Sequence, residues 1–135
     1  MFHHKGTKDT KVLADRLSFD IVGAAIEVHR ELGPGLLESA YETCLCRELR
    51  FKGIPFQRQV LLPLRYRGLD LDCGYRLDLL IAGLVVVEVK AISRINANHK
   101  AQALTYLKLL KLRLGFIINF NVEVLRVGIH RIVLG

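Results

Sequence analysis

The chain of 135 residues has no apolar stretch near the roughly 18 residues that a membrane span requires. Its uninterrupted run Leu84–Val87 has only the length of a strand. The first residues are polar and lack the apolar centre of a signal peptide, so a cytoplasmic protein without a membrane partner is expected. Cysteine is sparse. Cys44, Cys46 and Cys73 cannot all pair, and their spacing matches neither a zinc knuckle nor a redox pair. In a helix Cys44 and Cys46 would point about 200° apart, so the three are expected to be small, mostly buried thiols. The chain also lacks internal repeats and low-complexity tracts. Acidic residues are few. Thirteen Asp and Glu face twenty Lys and Arg, a net charge of +7 that suits a polyanion, though many basic proteins bind none. After Glu48 the only acids are Asp70, Asp72, Asp78, Glu88 and Glu123.

The length fits one domain, assigned to residues 13–135 after a flexible tail over 1–12. A 51% hydrophobic content argues for a packed core rather than disorder. From Ser18 as N-cap, Ile21, Ala25, Val28 and Leu32 fall at helical spacing, and Gly33-Pro34-Gly35 breaks the pattern. A second helix is expected from Leu36 to Phe51, stopped by Gly53. Strands are expected over Phe56–Leu64, Leu69–Cys73, Tyr75–Ile81 and Leu84–Ala91. A helix over Asn98–Leu112 and strands over Phe116–Phe120 and Val124–Val133 complete the chain. Two helices, a run of strands, a third helix and two closing strands describe an α/β (α+β) domain around a mixed sheet.

The anomaly is Leu84-Val85-Val86-Val87-Glu88-Val89-Lys90. Valines filling both faces mark a strand covered on both sides. Yet it ends in Glu88 and Lys90, two apart and on one face. If Ala82-Gly83 is a hairpin turn, Asp78 comes close to Glu88 across the ladder. Two such carboxylates force one toward protonation unless a cation lies between them. Asp and Glu oxygens suit Mg²⁺, which polarises phosphoryl oxygens and activates water. A neighbouring lysine can orient that water or stabilise developing charge. A purely structural Glu–Lys or Asp–Lys pair at a strand end would leave the same spacing.

Asp78…Glu88-Val89-Lys90 resembles the signature of the PD-(D/E)XK nuclease superfamily. Gly35-Leu36-Leu37-Glu38-Ser39-Ala40-Tyr41 is similar to the motif that names its GxxExxY family. The segments Tyr75–Leu80, Val87–Ala91, His99–Leu107 and Ile118–Phe120 follow in family order, so the resemblance runs from about Ser18 to the C-terminus. Leu77 stands where the superfamily's name has proline. The resemblance implies a restriction-endonuclease-like core, a mixed four-stranded sheet flanked by helices. It implies Asp78 and Glu88 as ligands of Mg²⁺, with Mn²⁺ as substitute, and Lys90 as the water-orienting lysine. It makes Glu38 the helical acid that assists the metal site. Gln102 and Tyr106 match the QxxxY element of the RecB-like branch; four residues apart, they share a helical face, with His99 one turn earlier.

Between Glu88 and Glu123 lie Lys90, Arg94, Lys100, Lys108, Lys111 and Arg113, with no acid among them. Arg94, Lys100 and His99 should flank the proposed metal, and Arg58 sits on a strand entering the sheet. These four are the expected nucleic-acid contacts, suited to phosphates rather than to base edges. Lys108, Lys111 and Arg113 also fit a solvated helix end. His3, His4, His29 and His130 form no ligand spacing. The sequence thus points to a Mg²⁺-dependent nuclease acting on DNA rather than RNA, with a homodimer as one way to cut two strands. The alternative is a nucleic-acid- or partner-binding module that keeps the fold without turnover.

Overall fold

The computed structural model describes residues 6–135. Helix α1 spans Gly6–Leu32 and begins well before Ser18. Ser18 is not a cap: its hydroxyl donates to the Ala14 carbonyl at 2.9 Å, the back-bond a serine makes inside a helix. Residues 6–12 of the expected tail are therefore helical; residues 1–5, with His3 and His4, lie outside the described residues. Helix α2 spans Glu38–Phe51 and packs beside α1.

Strand β1 (Phe56–Leu61) is followed by a small separate hairpin, β2 (Leu64–Tyr66) and β3 (Leu69–Leu71). Then come β4 (Arg76–Ile81), β5 (Val85–Lys90), α3 (Ala97–Leu110), β6 (Leu114–Asn119) and β7 (Ile129–Val133). The main sheet runs β1-β4-β5-β6-β7. Only β5 and β6 pair in parallel, across the α3 crossover; the other pairs are antiparallel. The sheet has five strands where four are expected, because β1 continues as an edge beside β4. The start of the expected last strand is instead a 3-10 turn over Leu125–Gly128.

β5 lies at the centre, as its valines imply. Val85, Val87 and Val89 face α1 and α2, while Val86 faces α3. The hairpin into β5 turns on Ala82 and Gly83, both at positive φ, the signature of a tight primed turn. Tyr41 is fully buried, stacks on Phe120 at 4.6 Å, donates from its hydroxyl to the Gly33 carbonyl at 2.6 Å and accepts from Leu36 N at 3.1 Å. Gly35 in the same loop has φ of 102°, which a side chain would strain. The Gly-Tyr part of the motif thus shapes the entry to α2. Of the cysteines, Cys46 is buried, Cys44 half-buried and Cys73 exposed, so the expectation of burial fails for the last, in the loop before β4.

Candidate active site

β4 and β5 pair in register from the turn as far as Leu79 and Val87. The next opposed pair is Asp78 and Glu88, and there side chains replace the backbone ladder. The Asp78 N–H donates to Glu88 Oε2 at 2.7 Å, and the Val89 N–H donates to Asp78 Oδ2 at 2.8 Å. The carboxylates sit where the two strands part. Side-chain alternation breaks at the same point. Leu79 joins the core under α1 and α2, whereas Leu77, two residues earlier, joins the core under α3.

Glu88 is buried and Asp78 half-buried. Burial, then the Asp78 charge, push the Glu88 carboxyl up to about 8, while the Asp78 N–H and the Lys90 ammonium pull it down. Asp78 is also raised, chiefly by burial, against the Val89 N–H. Lys90 is half-buried at the end of β5, and its charge favours both carboxylates in their ionised form. Opposite Lys90 across the parallel pair stands Asn119, 3% exposed. Its amide holds the chain leaving β5 at both backbone groups of Ile92, accepting from N at 3.1 Å and donating to O at 2.9 Å.

Tyr106 reaches the site from α3. It is buried, its hydroxyl donates to the Arg76 carbonyl at 3.4 Å, and its ring meets Tyr75 edge-on at 6.4 Å. Burial and the charges of Glu88 and Asp78 push its hydroxyl up to about 12, so it serves as a donor, not a base. Gln102 lies one turn earlier on α3 and is exposed, with no hydrogen bond among the described residues.

In three places the structure departs from the expected arrangement. The α2 acid beside the carboxylates is Glu42, not Glu38. Glu38 opens the helix and is exposed, whereas Glu42, one turn on, is buried and its charge acts on both Asp78 and Glu88. Helical spacing cannot separate the two; the way α2 docks on the sheet does. Arg58 is partly engaged: its Nε donates to Glu42 Oε2 at 3.0 Å, while the side chain stays partly exposed. His99 is used within α3. Its Nδ1 accepts from the Asn96 N–H at 2.9 Å while Asn96 Oδ1 accepts from the His99 N–H, a reciprocal cap that leaves only Nε2 facing outward. Arg94 and Lys100 are exposed on the segment that follows β5, where a phosphate could meet them. The residue with no signal in the sequence is Gln59. It sits opposite Asp78 in the β1–β4 register, and its amide donates to Glu42 Oε1 at 3.0 Å and to Asp78 Oδ1 at 3.3 Å.

A sequence model of the PD-(D/E)XK nuclease superfamily matches residues 15–132. The chain belongs to the PD-(D/E)XK nuclease superfamily. No curated protein and no solved structure gives a significant match. The matched span reaches every strand of the sheet, and the architecture is the superfamily's restriction-endonuclease-like fold, a mixed sheet flanked by helices. Within this PD-(D/E)XK domain no three Asp, Glu, His or Cys side chains converge as a ligand set among the described residues. The donor set is instead two carboxylates, both pushed toward protonation chiefly by burial. That set fits a hard divalent ion that takes one or two carboxylates and keeps several waters. No helix is long and apolar enough to cross a membrane among the described residues.

Proposed function

We propose that this protein is a Mg²⁺-dependent nuclease of the GxxExxY type that hydrolyses phosphodiester bonds, in DNA rather than RNA, with Mn²⁺ able to replace Mg²⁺. One observation carries the reading: Asp78 and Glu88 oppose each other at the open end of a buried ladder, with Lys90 on the Glu88 face. Structural ion pairs do not need two carboxylates facing each other, and burying such a pair is costly without a cation to share. Bound between them, Mg²⁺ would polarise a phosphoryl oxygen and acidify water.

The chain's own residues supply the rest. Asp78 and Glu88 hold the ion with oxygens whose rotamers are fixed by main-chain N–H groups. Lys90 brings a positive charge to the same spot, where it orients the attacking water and offsets charge gathering on the phosphate. Tyr106 keeps its proton and fixes the end of β4 through Arg76. Gln102, exposed one turn away, faces incoming substrate together with Arg94 and Lys100. These cations bind the backbone of a strand without reading its bases.

The test is incubation with single- and double-stranded DNA and RNA in Mg²⁺ or Mn²⁺. Cleavage that disappears in Asp78→Asn and in Lys90→Ala supports the reading. Failure to cut any of these, or cutting that survives both substitutions, removes it. Sedimentation with and without duplex DNA tests whether two copies assemble to cut two strands.

A further inference from the structure

Gln59 holds a left-handed backbone, with φ of 51°, in the middle of strand β1. Non-glycine residues seldom adopt that conformation, and it is costly within a strand. The register is unbroken around it. Arg58 pairs with Leu79 and Val60 with Leu77, so no residue has been inserted and Gln59 falls opposite Asp78. The kink changes what β1 presents: Phe56 packs under α1 and α2, Val60 under α3. Strand β4 makes the same change of face at Asp78, between Leu77 and Leu79.

The strain aims one side chain. The Gln59 amide nitrogen lies 3.0 Å and 3.1 Å from the two oxygens of Glu42 and 3.3 Å from Asp78 Oδ1. Glu42 is itself tethered by Arg58 Nε at 3.0 Å. The result is a chain of contacts, Arg58 to Glu42 to Gln59 to Asp78. Asp78 Oδ2 is already taken by the Val89 N–H, so the amide is what fixes the second oxygen. An amide also suits the place chemically. It presents N–H groups to two carboxylates without adding the positive charge that would repel a cation.

We propose that Gln59 is a positioning residue: anchored on Glu42, it sets the orientation of the Asp78 carboxylate for a divalent ion. Glu42 acts through Gln59 rather than as a ligand. The inference rests on Asp78 holding the ion, and it assigns the left-handed residue a purpose. Groups that orient a ligand from behind commonly alter metal affinity by about ten- to a hundredfold.

Mn²⁺ titration followed by electron paramagnetic resonance gives the affinity without reference to turnover. Gln59→Leu, which keeps the bulk and removes the amide, weakens Mn²⁺ binding about tenfold. In a Glu42→Ala background the same change costs less than about threefold, since the unanchored amide no longer contributes. Gln59→Asn tolerates the left-handed backbone but is one methylene too short, so it folds and loses affinity like Gln59→Leu. Equal losses in both backgrounds, or no loss in either Gln59 variant, overturn the proposal. A wild-type protein that binds no Mn²⁺ overturns the nuclease reading instead. The positioning claim is then decided on metal-free protein by nitrogen-15 spectra. The Gln59 side-chain amide signals must shift in Glu42→Ala and in Asp78→Asn but not in Glu48→Gln. If they ignore Glu42 and Asp78, the contacts do not exist in solution.

Discussion

Glu88 Oε2 takes the main-chain N–H of Asp78 at 2.7 Å, so a side chain from β5 does the work of a strand carbonyl at the residue facing it. Burial and the Asp78 charge together keep the metal-free carboxyl protonated up to about pH 8, against 4.5 in the unfolded chain. Between those values the fold binds more protons than the unfolded chain, so stability falls as pH rises. The contribution is complete below about pH 4.5 and lost as pH passes through about 8. Asp78 moves in the same direction and adds to the slope. Urea unfolding in a chelator is expected to show a loss of at least about 2 kcal/mol across this window. Wherever the two states differ by one bound proton, stability changes by about 1.4 kcal/mol per pH unit. Glu88→Gln should flatten the slope, and Mg²⁺ should restore stability at the alkaline end.

Lys90 separates binding from chemistry. Removing its charge leaves both carboxylates in place and lifts a repulsion from the ion site. Lys90→Ala is expected to bind Mn²⁺ at least as tightly as the wild type, while cleavage falls by about 10²- to 10³-fold. Calorimetry and a single-turnover cleavage assay on the same preparation check the two halves.

Tyr106 is held protonated, its hydroxyl pushed up to about 12 by burial and the nearby acids. Tyr106→Phe should therefore leave the alkaline limb of the pH–rate profile unmoved. It loses one long hydrogen bond to Arg76, worth about 1 kcal/mol or less of stability. Tyr106→Ala removes a buried ring and should cost about 3–5 kcal/mol, seen by thermal unfolding.

Gly128 is fixed by close approach. A Cβ there would stand 2.1 Å from the Asn119 carbonyl oxygen, a backbone atom at the end of β6 that cannot step aside alone. Gly128→Ala should destabilise by at least about 2 kcal/mol. Because Asn119 also ties down Ile92 just past Lys90, cleavage should drop further than the unfolded fraction explains. Comparing activity with the folded fraction from circular dichroism tests this.

Much of the site could be read along the chain because it depends on local rules. A tight hairpin brings Asp78 within one residue of Glu88, and the third loop residue, Leu84, sets the Ile81–Val85 register that opposes them. The valines of β5 announce its central place for the same kind of reason. What failed depends on how elements dock. Glu38 and Glu42 are equivalent on a helical wheel, and only the seating of α2 makes Glu42 the buried one. Gln59 gave no sign, since a left-handed glutamine within a strand contradicts every local preference and is sustained by its tertiary partners. Arg58 and His99 read as open phosphate contacts because sequence does not show the Glu42 and Asn96 groups that engage them.

The exchange of N–H groups between Asp78 and Glu88 also bears on ancestry. Both acids are rungs of the ladder as well as candidate ligands, so a descendant that abandoned hydrolysis would still use acceptors at these two positions where the backbone pairing of β4 and β5 ends. No main-chain group among the described residues accepts from the ammonium at position 90. Among relatives of this protein, the lysine rather than the acids is the residue whose loss would mark a lineage that kept the scaffold and gave up the reaction.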